Sequence, residues 1–228
     1  MTAETDHPRL HEDEFRKRST PVRDQTIGMF LEALASSTPA PGGGAAAALN
    51  AALGAALIEM ACLLTIGRPR YAQHEAGMRT ALAEATKLRT RALNLAADDV
   101  MAFGAASEAY KLPKETAEQR QARSEQIQRT LVAATEVPLN TAALAGEVIQ
   151  LARRIVDSAN VNVLADVAAA AVSARAALEV AQINVEANLA AINDPSLGKE
   201  LSERMTAVSL LAAEAEETVR SIRSTING

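Results

Sequence analysis

The stretch TPAPGGGAAAALNAALGAAL (Thr38–Leu57) sets three consecutive glycines directly against a run of alanine and leucine. Glycine loses more backbone freedom on folding than any other residue. Three of them beside a strong helix former therefore point to a close backbone approach, a special dihedral or a flexible joint. From Ala45 the helix-forming run continues through IEMACLLTI to Ile66, and Gly67 and Pro69 end it. Alanine and leucine head the helix-propensity order, so a helix over 45–66 is predicted, with SSTPAPGGG as the loop before it. At about 1.5 Å per residue that helix could span a bilayer, but Asn50, Glu59 and its reliance on alanine fit a buried helix of a soluble bundle.

The same reading extends outward. Residues 1–22 show no apolar periodicity and read as a charged N-terminal arm; 23–228 read as a single helical domain. Ile27, Phe30, Leu31 and Leu34 form a helical stripe after Thr20, a possible cap, and Pro21. Further helices are expected over 75–110, 115–135, 139–158, 161–192 and 199–222, with Pro138 marking a boundary between two of them. Valine and isoleucine fall at helical spacing with alanine between them, and no stretch alternates as a strand does. With three Phe, two Tyr and no Trp, these helices must meet through small side chains. The fold class is all-α: an antiparallel helical bundle of long, alanine-rich helices. Alanine buries little apolar area, so burying a helix face against a second copy would add stabilisation, and a homodimer is expected.

Composition excludes several functions. A net charge of -5, with no long basic block, argues against nucleic acid as the main partner. A single cysteine and three scattered histidines offer neither a disulfide framework nor a zinc site. The charged N-terminus has no secretory apolar core, so a reducing cytoplasm is expected, with no membrane partner.

A few polar residues fall where core is expected. Leu88, Ala92, Leu95, Asp99 and Phe103 follow at steps of four, three, four and four, which sets Asp99 within an otherwise apolar stripe. A carboxylate so placed needs a partner, a raised pKa or a wet pocket. A structural ion pair would satisfy it equally well. Glu59 shares a face with Ala52, Ala56, Leu63 and Ile66, where a structural role carries more weight. Asn160 and Asn162 can cap the helix that begins at SANVNVLAD, whereas Asp166 lies close to the Val163, Ala170 and Ala174 side. Asn184 and Asn188 read as solvated. The glycines before a helix resemble an anion cradle, since first-turn amides are unpaired, but the P-loop and dinucleotide patterns are absent.

TPAPGGG (Thr38–Gly44), LTIGRPRY (Leu64–Tyr71), DDVMAF (Asp98–Phe103), AYKLPK (Ala109–Lys114), VPL (Val137–Leu139) and NVNVLAD (Asn160–Asp166) occur in one order. In that order they resemble the formiminotransferase-cyclodeaminase/methenyltetrahydrofolate cyclohydrolase family, over about residues 26–192. The resemblance implies an all-helical homodimer acting on a tetrahydrofolate one-carbon adduct. Some relatives release ammonia from 5-formiminotetrahydrofolate; others hydrolyse 5,10-methenyltetrahydrofolate to 10-formyltetrahydrofolate. The chain has no room for a formiminotransferase domain, which favours the cyclohydrolase. A non-catalytic folate-binding protein is the alternative from another class.

The resemblance also implies the site. Asp99 matches the family's aspartate four before the aromatic and Lys114 the lysine of its leucine-proline-lysine run, and these two are expected to be the catalytic polar pair, with Pro41, Gly42, Gly43, Gly44, Asn160 and Asp166 as substrate-binding positions. Ala165 stands where many relatives have serine, which removes a hydroxyl and keeps the choice between hydrolase and deaminase open. Asp99 would accept a proton or stabilise the substrate cation. Lys114 would act as a base if neutral, or if charged bind the glutamate tail or donate to N5. No metal or prosthetic group is expected, because the substrate carbon is already electrophilic.

Overall fold

The computed structural model describes residues 21–227, so most of the expected N-terminal arm, with the Thr20 cap, lies outside the described residues. The order is a 3-10 turn (Val22–Asp24), α1 (Ile27–Leu34), α2 (Gly43–Leu63), a 3-10 turn (Pro69–His74), α3 (Glu75–Tyr110), α4 (Ala117–Ile155), a 3-10 turn (Val161–Val163), α5 (Leu164–Leu189), α6 (Pro195–Ser209) and α7 (Leu211–Asn227). No strand occurs among the described residues, and the fold is the expected all-α bundle.

Small side chains set the spacing. α2 packs against α3 and α5, and α4 packs against the same two. Ala51, Ala55, Ala85, Ala92, Ala170 and Ala174 are buried along these contacts, around the larger Ile58, Leu144, Ile149 and Leu178. Gly54 shows how close the axes come: a Cβ there would lie 2.9 Å from the Ala170 carbonyl oxygen and 3.1 Å from Val148 Cγ1. Contacts pair the start of α2 with the end of α5, Gly43 with Asn184, and its end with the segment before α5, Thr65 with Asn160. The two helices are antiparallel. Gly44 beside Asp99 and Glu59 beside Arg89 show the same for α2 and α3.

Four expectations change. α1 is capped by Thr26, whose hydroxyl accepts from the Met29 N–H at 3.1 Å. α2 starts at Gly43, so two of the glycines belong to its first turn. α4 is a single helix running through Pro138, which lacks the N–H to bond Ala134 and would cost about 3 kcal/mol in an exposed helix. Leu131, Thr135, Leu139, Ala142 and Ala145 are buried on both sides of it, and this continuous packing holds the helix together. The last expected helix is instead two, α6 and α7, meeting at Leu210. Neither proline nor glycine marks that break; each half buries its own apolar residues, Leu201 and Met205 in one, Ala215 and Ile222 in the other.

One face is left uncovered. Along α2, Leu49, Leu53, Ala56, Met60 and Leu63 recur at alternating steps of four and three, a coiled-coil spacing, and Leu53 and Leu63 are 58% and 60% exposed. On neighbouring α5, Ala165, Ala169 and Ile183 are exposed too. Gly43–Leu63 and Val161–Leu189 are long and apolar enough to cross a membrane, yet about half of each (50% and 44%) is buried inside the bundle.

Candidate active site

Every α-helix begins with backbone N–H groups that have no intrahelical acceptor. The N-cap of α2 is Gly42, which has no side chain to satisfy them. Asp99, reaching across from α3, supplies the acceptor: its carboxylate takes a hydrogen bond from the Ala45 N–H. Gly44 makes this approach possible. A Cβ at Gly44 would stand 2.0 Å from Asp99 Oδ1 and 2.9 Å from Oδ2, so any larger residue would displace the carboxylate. The triple glycine is thus neither a linker nor a phosphate loop; it leaves room for a carboxylate from another helix.

Two influences on Asp99 oppose each other. Burial disfavours the charged form, while the Ala45 N–H favours it; burial is the larger, and the carboxyl is held above its ordinary range. A half-buried carboxyl with a raised pKa keeps its proton to higher pH than a solvated one and is a stronger base once ionised. Phe103, one turn on, was expected in the core; it is 42% exposed, so the stripe running from buried Leu88 and Ala92 emerges at the surface beyond Asp99. Its ring leaves a flat apolar surface on the face that carries the carboxylate.

Asn184 was set aside by the sequence reading. It comes from α5 to the same corner, where a Cβ on Gly43 would lie 3.5 Å from its Nδ2, and that Nδ2 donates to the Val180 carbonyl at 2.8 Å. Its only sequence signal was the spacing of four to Asn188, which a solvated face would also show.

Of the remaining expected residues, Lys114, Asn160 and Asp166 are not gathered around Asp99. Pro41 and Gly42 lead into α2 at the same end of the bundle. Lys114 is exposed in the corner between α3 and α4, where its carbonyl accepts from Arg120 at 3.2 Å and its ammonium has no ion pair among the described residues. Asp99 and Tyr110 are eleven helical residues apart, about 16 Å, and Lys114 lies beyond Tyr110. Asn160 and Asp166 lie at the other end, since the eighteen residues of α5 between Asp166 and Asn184 span about 27 Å.

At that far end Asn160 is fully engaged. Its N–H donates to Thr65 Oγ1 at 2.9 Å, its Nδ2 to the Leu64 carbonyl at 3.2 Å, and its Oδ1 accepts from the Asn162 N–H at 3.1 Å and from Tyr71 Oη at 3.4 Å. It ties the end of α2 to the start of α5 and fixes where Asp166 begins that helix.

Glu59 has a structural role, the weightier of its two expected readings. It receives the Arg89 guanidinium and, at 3.1 Å, the Thr86 hydroxyl, locking α2 to α3. Burial, and then the neighbouring Glu59, pushes the Cys62 thiol up to about 11. Among the described residues no three His, Cys, Asp or Glu converge as metal ligands do.

The fold is thus an all-α bundle that seats a carboxyl of raised pKa against a glycine-built helix start. The chain belongs to the formiminotransferase-cyclodeaminase family, whose model matches residues 26–207. It is 41% identical, over 90% of its length and 99% of the relative's, to a methenyltetrahydrofolate cyclohydrolase of Methylorubrum extorquens. It is also 32% identical over 79% of its length to a chicken formimidoyltransferase-cyclodeaminase, of which it spans 33%. The crystal structure of a formiminotetrahydrofolate cyclodeaminase from Thermotoga maritima superposes on 91% of the chain, and all of that structure is covered, with a TM-score of 0.81 at 24% identity. That likeness bears on the fold.

Proposed function

We propose that this chain hydrolyses 5,10-methenyltetrahydrofolate to 10-formyltetrahydrofolate. The observation that carries the reading is the 41% identity to a cyclohydrolase matched over 99% of its length. The carboxyl at Asp99, shifted upward by burial, supports it. The substrate is a cation whose positive charge is spread over N5, the methenyl carbon and N10. Asp99 accepts a proton from water as its oxygen adds to the methenyl carbon, giving a neutral hydroxy adduct. The carbon–N5 bond then breaks, N5 takes the proton from Asp99, the hydroxyl proton leaves, and the formyl group stays on N10. One water is consumed and one proton released. The flat pterin would lie against the exposed Phe103 ring.

The distance to Lys114 separates its two expected roles. Lys114 follows Tyr110, itself about 16 Å along α3 from Asp99, and this supports binding of the carboxylates of the glutamate tail over proton exchange at N5.

Asp166 enters through a second copy, with Asn160 binding indirectly by fixing the start of its helix. We take the homodimer to close over the uncovered α2 and α5 face, with the copies related by a two-fold axis. That face is about 30 Å long and two helices wide, about 600 Å², near the roughly 800 Å² per partner of a stable interface. An antiparallel arrangement brings the Asp166 end of one protomer to the Asp99 end of the other. The proposed setting is cytoplasmic, with neither membrane nor nucleic acid as partner, and the chemistry calls on no prosthetic group.

The decay of methenyltetrahydrofolate absorbance tests the activity. Rapid decay with the native chain that is lost in D99N is expected. Decay at the uncatalysed rate, with ammonia released from the formimino substrate, would make the chain a cyclodeaminase; folate binding without either turnover would make it a binding protein.

A further inference from the structure

A cavity of about 350 Å³ lies between α5 and α7, away from the Asp99 corner. Arg175, Arg220, Arg223 and Glu216 line it together with the apolar side chains of Val172 and Val219. Arg175 and Asn184 are nine residues apart on α5, so the cavity opens about 180° around that helix from the glycine loop and about 14 Å along it.

Three arginines against one glutamate give this cavity a positive lining in a chain of net charge -5. Glu216 does not neutralise the other two arginines. It is turned to Arg175, which it holds at 2.5 Å, and Glu179 holds Arg175 from the other side at 3.2 Å. Arg220 and Arg223 have no ion pair or hydrogen bond among the described residues. Three residues apart on α7, they project on one side of that helix. Several other arginines are paired between helices, among them Arg91 with Glu147 and Arg204 with Glu136. Two free guanidinium groups beside a third held in place form a fork that matches a carboxylate or phosphate, and the valines give an attached carbon skeleton an apolar surface.

We infer that the α5–α7 cavity is a second binding site, for a small organic anion whose phosphate or carboxylate group is held by Arg220 and Arg223 and whose apolar part rests on Val172 and Val219. It is independent of the folate reading and of Asp99. The volume admits a molecule of modest size, at the lower end of the range of small-molecule pockets.

Isothermal titration calorimetry on the native full chain at low ionic strength tests it, with phenyl phosphate and inorganic phosphate as probes. Saturable binding of one phenyl phosphate per chain is expected, tighter than inorganic phosphate and weakened by added salt. The R220Q/R223Q variant should bind at least about tenfold more weakly, while R220K/R223K, which keeps the charge but loses the fork, should fall between. Circular dichroism melting of each variant confirms that it is folded. Turnover of methenyltetrahydrofolate should be unchanged in both variants. No saturable heat with the native chain, or undiminished binding by folded R220Q/R223Q, would overturn the site. A change in oligomeric state in that variant without any phenyl phosphate binding would overturn it too, because the arginines would then serve a protein contact.

Discussion

Asp99 Oδ1 occupies the space that a side chain on Gly44 would need: a Cβ built there lies 2.0 Å from it. A glycine at the start of one helix and a carboxylate on the next therefore form one unit. The G44A variant should fold with its Asp99 carboxylate pushed out of place. Overpacking of this kind typically costs about 1–3 kcal/mol. A misplacement of about 1 Å at a reacting group lowers the rate by about a hundredfold. Thermal melting and turnover measured together check this, and a G44A protein with native activity would dissociate the glycine from the site.

Asp99 should make the protein active at the expense of its stability. Because burial raises its folded pKa, the folded chain binds more protons than the unfolded chain between the ordinary carboxylate range and the raised value. Stability thus falls as pH rises through that window, and at neutral pH the ionised group is unfavourable. D99N keeps an acceptor for the Ala45 N–H but carries no charge. It should melt higher than the native chain at pH 7, with the gap closing as the pH is lowered below the raised pKa. Turnover should drop by about 10²- to 10⁴-fold. A D99N protein that melts lower at neutral pH would show that the charge-assisted bond from Ala45 to the ionised carboxylate outweighs the cost of burying the charge.

Glu59 is the contrasting carboxylate. Its side chain is 15% exposed and joined to Arg89 and Thr86. Hydrogen bonds to charged groups contribute about 1.5–3 kcal/mol, so E59A should destabilise the fold by about that much, the lower end reflecting the partly exposed arginine. Its turnover at a temperature where it is folded should be close to native. A kcat lost without loss of stability would move Glu59 into the chemistry.

These two carboxylates show how far sequence reading reached. The helical stripe through Leu88, Ala92 and Leu95 identified Asp99 as anomalous by local periodicity, whereas the alanine-rich face of Glu59 does not declare which side is core and left a structural role as the weightier reading. What periodicity could not show was that Asp99 and the triple glycine meet, because that contact joins residues 44 and 99 through the packing of α2 on α3. Pro138 was read as a boundary because its local penalty is real, while the buried faces that outweigh it are tertiary. The α6–α7 break carries no local signal at all. Asn184 is near the glycines only because α5 runs antiparallel to α2.

Cys62 should be inert in the folded protein. The thiolate is the reactive form, and burial pushes this thiol to about 11. A disulfide reagent at pH 8 should label less than one thiol in many minutes on the native chain and one per chain promptly in denaturant. Prompt labelling of the native protein would reveal opening of the α2–α3 contact.

The placement of Asp99 and Asp166 at opposite ends of one protomer makes a sharper demand. The eighteen α5 residues from Asp166 to Asn184 span about 27 Å, so no single folate reaction centre touches both in one chain. If the α2 and α5 faces of two copies meet antiparallel, each site takes Asp99 from one protomer and Asp166 from its partner. D99N and D166N proteins, each inactive alone, should then complement when unfolded together and refolded as a mixture. In a mixed dimer one site carries both substitutions and the other carries neither. Random pairing makes half the dimers mixed, so about a quarter of native activity should return. Activity equal to the sum of the separate variants would place Asp166 outside the site, whereas recovery near a quarter is an outcome that two sites contained within single protomers cannot produce.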